Sequence, residues 1–148
     1  MKRLALIAVL CVAASGAAFS QPAVAPFVVK GDAIEAPLLG RVGNAGRGAA
    51  VVRNRETGNC LICHAVPDPG ERFQGDLAPL LAGVGNRLNA GQIRLRLVDP
   101  TRVNNKAIMP AYHRIAGFVN VDARYAGQPV LTAQEIEDAV AYLVSLKE

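Results

Sequence analysis

GNCLICHAV, residues 58–66, sets Cys60 and Cys63 two residues apart and puts His64 directly after them. The third cysteine, Cys11, lies in an apolar N-terminal run, so the thiols of the remaining chain all fall in this one stretch. Two thiols and an imidazole in five consecutive positions suit three chemistries: a covalently attached haem of the c type, half of a zinc site, or a dithiol redox pair. The choice decides the fold, because each chemistry needs a different setting.

A structural zinc site takes four protein ligands and a catalytic one at least three. Beyond Cys60, Cys63 and His64, the only Cys or His outside the N-terminal run is His113, and adjacent Cys63 and His64 fit poorly into one tetrahedron. A redox dithiol sits at a helix N-terminus within a βαβ unit, where the dipole lowers a thiol pKa. Here a helical pattern precedes the motif and strand signals are few. A Cys60–Cys63 disulfide would close too small a loop to stabilise much, and it leaves His64 unused. The haem reading employs all three residues: two thioethers to the porphyrin vinyl groups, and His64 as proximal iron ligand through Nε2.

The far side of that iron has two candidates. Apart from Met1, Met109 is the only thioether in the chain, and His113 is the only other histidine. Met109 lies in KAIMPAY, residues 106–112, where Pro110 fixes the backbone after it and loops run on both sides. A lone Met is also a common core filler. With a haem present it is the expected ligand, and His113, followed by Arg114, is expected at the surface or rim. The candidate set is therefore Cys60, Cys63, His64 and Met109 around one covalent haem c, with His64 and Met109 on the iron.

At 148 residues and 51% hydrophobic, the chain suits one domain with a buried core. Residues 1–20 pair Lys2 and Arg3 with an apolar run from Leu4 to Ala14 and end in small residues, the layout of a signal peptide cut near Ser20. Export to the periplasm is the expectation, with no membrane association after cleavage. Loss of that leader takes 16 bases to 14 against 12 acids, a surplus of two that offers no general attraction for nucleic acid. Residues 87–106 are locally basic and read as a solvated helix face, with docking of an acidic partner as the other reading.

Residues 21–43 carry three prolines and no sustained period, so they read as an extended arm before a domain spanning 44–148. Asn44 can cap a helix over AGRGAAVVRNRE, residues 45–56, whose Ala45, Ala49 and Val52 share a face. Residues 66–88 read as an irregular loop. Asn89 with Gln92 caps a second helix that stops at Pro100. Thr132 with Glu135 makes a capping box for a third, with Ile136, Ala139, Val140, Leu143 and Val144 on one face and Lys147 in its last turn. The class is all-α.

A helix entering CxxCH, a Pro/Gly loop with Ala78-Pro79-Leu80, a short helix, a Met-Pro loop and a final helix together resemble the class I cytochromes c. In that family a proline at the place of Pro79 offers its carbonyl to the proximal histidine's Nδ1–H; Ala78 stands where glycine is usual. Five strings narrow the likeness: VKGDAIEAPL, GRGAAVVRNRETGNCLICH, GVGNRL, VDPTRVNNKAIMPAYHR and GQPVLTAQEIEDAVAYLVSLK. They are similar to the SoxX family, the monohaem subunits of periplasmic SoxAX cytochromes, over nearly all of the chain after the leader. The arm and the insertion from Tyr112 to Leu131 carry that likeness furthest. The resemblance implies a SoxA-type cytochrome partner, a SoxYZ carrier whose cysteine receives thiosulfate, and a downstream electron-acceptor cytochrome. It also implies a non-catalytic, electron-accepting role within an L-cysteine S-thiosulfotransferase complex. The competing reading is a free electron shuttle of the same fold.

Overall fold

The structure is a computed structural model that describes residues 23–147; the expected leader lies outside the described residues. Four α-helices carry the fold: α1 Ala45–Arg53, α2 Val84–Arg87, α3 Ala90–Val98 and α4 Ala133–Ser145. Single 3-10 turns stand at Leu38–Gly40, Cys60–Ile62, Pro100–Arg102 and Ala123–Tyr125. Among the described residues there is no strand, only an isolated bridge between Lys30 and Ala33. None of the described helices is long and apolar enough to cross a membrane.

The helix starts are where local chemistry puts them. Asn44 Oδ1 accepts the Arg47 N–H at 2.9 Å, and Asn89 and Thr132 each form a complete capping box, with Gln92 and Glu135. Each satisfies backbone donors that the first turn leaves unpaired, worth about 1 kcal/mol per cap. Two ends differ from expectation. Helix α1 stops at Arg53 because Asn54 turns extended and uses its side chain on the N–H groups of Glu56 and Thr57. Helix α4 stops at Ser145, so Lys147 lies beyond its last turn. Residues 84–87, expected as loop, form the one-turn α2.

The core gathers Val52, Leu61, Leu95, Val98, Ile136, Ala139 and Val140 between α1, α3 and α4. Gly48 lets α1 cross α4 at backbone distance: a Cβ there would lie 1.9 Å from the Asp138 carbonyl oxygen. Residues 23–43 hold no α-helix, only a turn that closes Lys30 on Ala33 and the Leu38–Gly40 turn, yet they belong to this core, for Ala25, Ile34 and Leu38 are each 1% exposed.

The basic segment is a solvated face only in part: Arg87, Arg102 and Lys106 are exposed, but Arg94 is not. Arg94 is buried against Glu137, Arg87 donates to the Ala82 and Leu80 carbonyls, and Arg102 pairs with Asp99. Arg94 meets an acid that α4 supplies 43 residues on, a pairing that charge counting along one helix does not reveal, whereas Arg87 and Arg102 find partners within seven residues.

Candidate functional site

Asn59 enters the Cys60–Ile62 turn in the left-handed region (φ 46°), a conformation Asn tolerates, and the turn closes with the His64 N–H on the Cys60 carbonyl at 2.9 Å. Leu61 points into the core, while Ile62, 65% exposed, lines the same cleft as the two thiols and the imidazole. Both thiols are free and half-buried. Burial first of all, against a lowering contact from Tyr112, pushes the Cys60 thiol up to about 11.

The loop after the motif folds back onto it. The Gly75 N–H reaches the Leu61 carbonyl at 2.8 Å, Ala78 reaches Cys63 at 2.9 Å, and Leu81 reaches Ala65 at 2.8 Å. Gly75 is required here, since a Cβ would lie 2.1 Å from the Ile62 carbonyl oxygen. This ladder sets Pro79 beside the imidazole: His64 Nδ1 lies 2.7 Å from the Pro79 carbonyl oxygen. An N–H on Nδ1 donates to that carbonyl, which fixes the ring and leaves Nε2 with a lone pair. The expected Pro79 contact is thus present, with Ala78 in place of glycine.

Two clefts meet at the imidazole. One, about 590 Å³, is walled by Leu81, Val84, Ile93, Leu97 and Met109. The other, about 340 Å³, is walled by Cys60, Cys63, Met109, Tyr112 and Val130. His64, Ala78, Ile108 and Met109 line both. The structure therefore gathers Cys60, Cys63, His64 and Met109, separated by up to 49 positions in sequence, around the smaller, largely apolar cleft. Their donor chemistry fits a haem c: two unbridged thiols at one edge, an oriented imidazole and a thioether, with aliphatic walls for the macrocycle. Among the described residues no group of three or more His, Cys, Asp and Glu is placed to hold a metal ion by itself.

His113 is not at the surface or rim. It is 1% exposed. Its Nε2 accepts the Ala25 N–H at 2.9 Å, and its Nδ1, at 2.7 Å from the Leu131 carbonyl oxygen, is the donor that pairing requires. The ring thereby pins the arm to the far end of the insertion. Sequence reasoning also passed over Tyr112, which follows Met109 by three residues and lies in the cleft wall with it. Burial, and next the neighbouring Cys60, push its phenol well up, so it stays protonated.

A helical chain whose CxxCH turn faces an apolar cleft, with its histidine held by a proline carbonyl, defines a cytochrome of the c type. No family model and no curated protein sequence matches the chain. Among solved structures it is similar to the crystal structure of SoxXA from P. pantotrophus, with 35% identity, a TM-score of 0.75, and coverage of 82% of this chain and 95% of that one. The chain belongs to the SoxX-like cytochrome family.

Proposed function

We propose that this chain is the electron-accepting haem c subunit of a periplasmic SoxAX-type cytochrome. That complex oxidatively conjugates thiosulfate to a cysteine of a SoxYZ carrier. The observation carrying the reading is the likeness to SoxXA across 82% of the chain. It is supported by the cleft that CxxCH, Pro79 and Met109 build together.

A bound haem c supplies one-electron reduction and re-oxidation. Cys60 and Cys63 would carry it by thioethers, and His64 and Met109 would serve as its iron ligands. The chain's own part is to hold and tune. Pro79 fixes the His64 ring, so the imidazole needs little reorganisation. Leu81, Val84, Ile93 and Leu97 keep water from the inner wall. A Met/His pair raises the potential relative to bis-His, which suits an acceptor placed after a partner's haem. With both thiols spent on thioethers, no thiol outside the leader remains to take thiosulfate itself, so the sulfur chemistry belongs to the partner. A SoxA-type cytochrome is that partner, SoxYZ is the carrier, and a further cytochrome drains the electron.

Pyridine haemochrome assay of the full chain from a host that matures c-type cytochromes tests the cofactor: one covalent haem per chain is expected, and colourless protein with two alkylatable thiols refutes it. Purification from the native cell tests the assembly. Recovery with a larger cytochrome is expected; recovery only as a monomer favours a free shuttle.

A further inference from the structure

We propose that Tyr112 tunes the reduction potential of the haem, as a hydrogen-bond donor aimed at the Cys60 edge of the cleft; this rests on the haem reading above. The residue is held at both ends of its backbone. Its N–H donates to the Leu97 carbonyl at 3.1 Å, near the end of α3, and its own carbonyl accepts the Leu131 N–H at 2.9 Å. Pro110 and the buried Ala111 link it to Met109. Its ring is 5% exposed yet lines the 340 Å³ cleft with Cys60, Cys63, His64 and Met109. There the phenol neighbours the Cys60 sulfur in the cleft wall, close enough that each affects the other's titration.

A neutral core aromatic would serve packing as well as Tyr112 does, so the hydroxyl needs its own account. A buried hydroxyl costs free energy unless it is partnered. The acceptor that the cleft places beside it is the sulfur of Cys60, one of the two through which a haem would be tied. Once Cys60 is a thioether, its sulfur is a weaker acceptor that shares electron density with the ring edge. A fixed donor at that edge stabilises the electron-richer, reduced form more than the oxidised one. The cleft's low dielectric strengthens the effect. Tyr112 is thus a positioning residue for charge, distinct from the iron ligands. A protonated phenol donates throughout the working pH range.

The test is spectroelectrochemical titration of the holoprotein. Tyr112→Phe keeps the ring and removes the donor. We expect reduction about three- to tenfold weaker, a fall of about 30 to 60 mV for one electron, with covalent haem content unchanged. Tyr125→Phe, which loses only a surface hydroxyl 3.4 Å from the Glu56 carbonyl oxygen, should leave the potential alone. 3-Fluorotyrosine placed at position 112, a stronger donor of the same shape, should shift it upward. That replacement also decides the matter if Tyr112→Phe fails to mature. An unchanged potential in both position-112 variants, or an equal fall in Tyr125→Phe, overturns the proposal while leaving the haem reading intact. Wild-type chain without covalent haem sinks both.

Discussion

Arg94 and Glu137 meet through two hydrogen bonds, Nε to Oε1 at 2.7 Å and Nη2 to Oε2 at 2.8 Å, with side chains 4% and 3% exposed. Each ion also holds the arm: Glu137 Oε1 accepts the Leu38 N–H at 2.8 Å, and Arg94 Nη1 donates to the Ile34 carbonyl at 2.6 Å. Removing one partner strands a buried charge, which costs about 3–5 kcal/mol. Glu137→Ala should lower holoprotein stability by that amount in guanidinium unfolding, and Glu137→Gln, which keeps an acceptor for Leu38, by less. An unchanged midpoint for Glu137→Ala would show that the arm is not anchored here.

Gly48 makes a second point of no tolerance. A Cβ there would meet the Asp138 carbonyl oxygen at 1.9 Å and the Tyr142 Cβ at 2.8 Å, both on α4. Helix propensity alone favours alanine by up to about 1 kcal/mol, but the clash forces α1 away from α4 at a cost of about 1–3 kcal/mol or more. Gly48→Ala should therefore lower the thermal midpoint. A rise would mean that the two helices have room to separate.

What could be read in advance follows from range. The caps Asn44, Asn89 and Thr132 act on N–H groups three residues away, so their signals lie within one turn of sequence. The CxxCH motif is equally local. Arg94 and His113 misled because their partners, Glu137 and Ala25, lie 43 and 88 residues distant, and a charged or polar side chain without a local partner looks solvent-bound. The Pro79 contact spans 15 residues and was expected only by resemblance. Gly48 gave no periodic signal at all, since close approach shows only when the second helix is in place.

Acid should weaken the fold in a defined window. Burial would raise Asp138, but Arg47, at 2.6 and 2.8 Å, the Asn44 N–H and the Gln134 amide outweigh it and hold the carboxyl below its usual range. Asp99 is lowered in the same way, burial being offset by Thr101 and Arg114. A carboxylate whose folded pKa is depressed contributes stability that is complete above its unfolded value, about 3.9, and is lost as pH falls through the lower folded value. Thermal midpoints should thus hold steady from pH 7 to about 5 and drop below about pH 4. Asp138→Asn should start lower and lose part of that slope; an identical pH profile would remove Asp138 from the account.

Met109 lines both clefts beside His64, and the rival side chain is not free to replace it. His113 Nε2 is occupied by the Ala25 N–H at 2.9 Å and its Nδ1 by the Leu131 carbonyl at 2.7 Å. To reach an iron, His113 would have to release the arm and the insertion together and leave a buried donor and acceptor unpaired, each costing about 1–3 kcal/mol. Met109→Ala in the holoprotein should therefore abolish the near-infrared sulfur-to-iron band of the ferric form and lower the potential, with no second histidine taking the position. Retention of that band would dismiss Met109 as a ligand. A bis-histidine spectrum in the variant would show that the His113 clasp opens far more easily than its two hydrogen bonds imply.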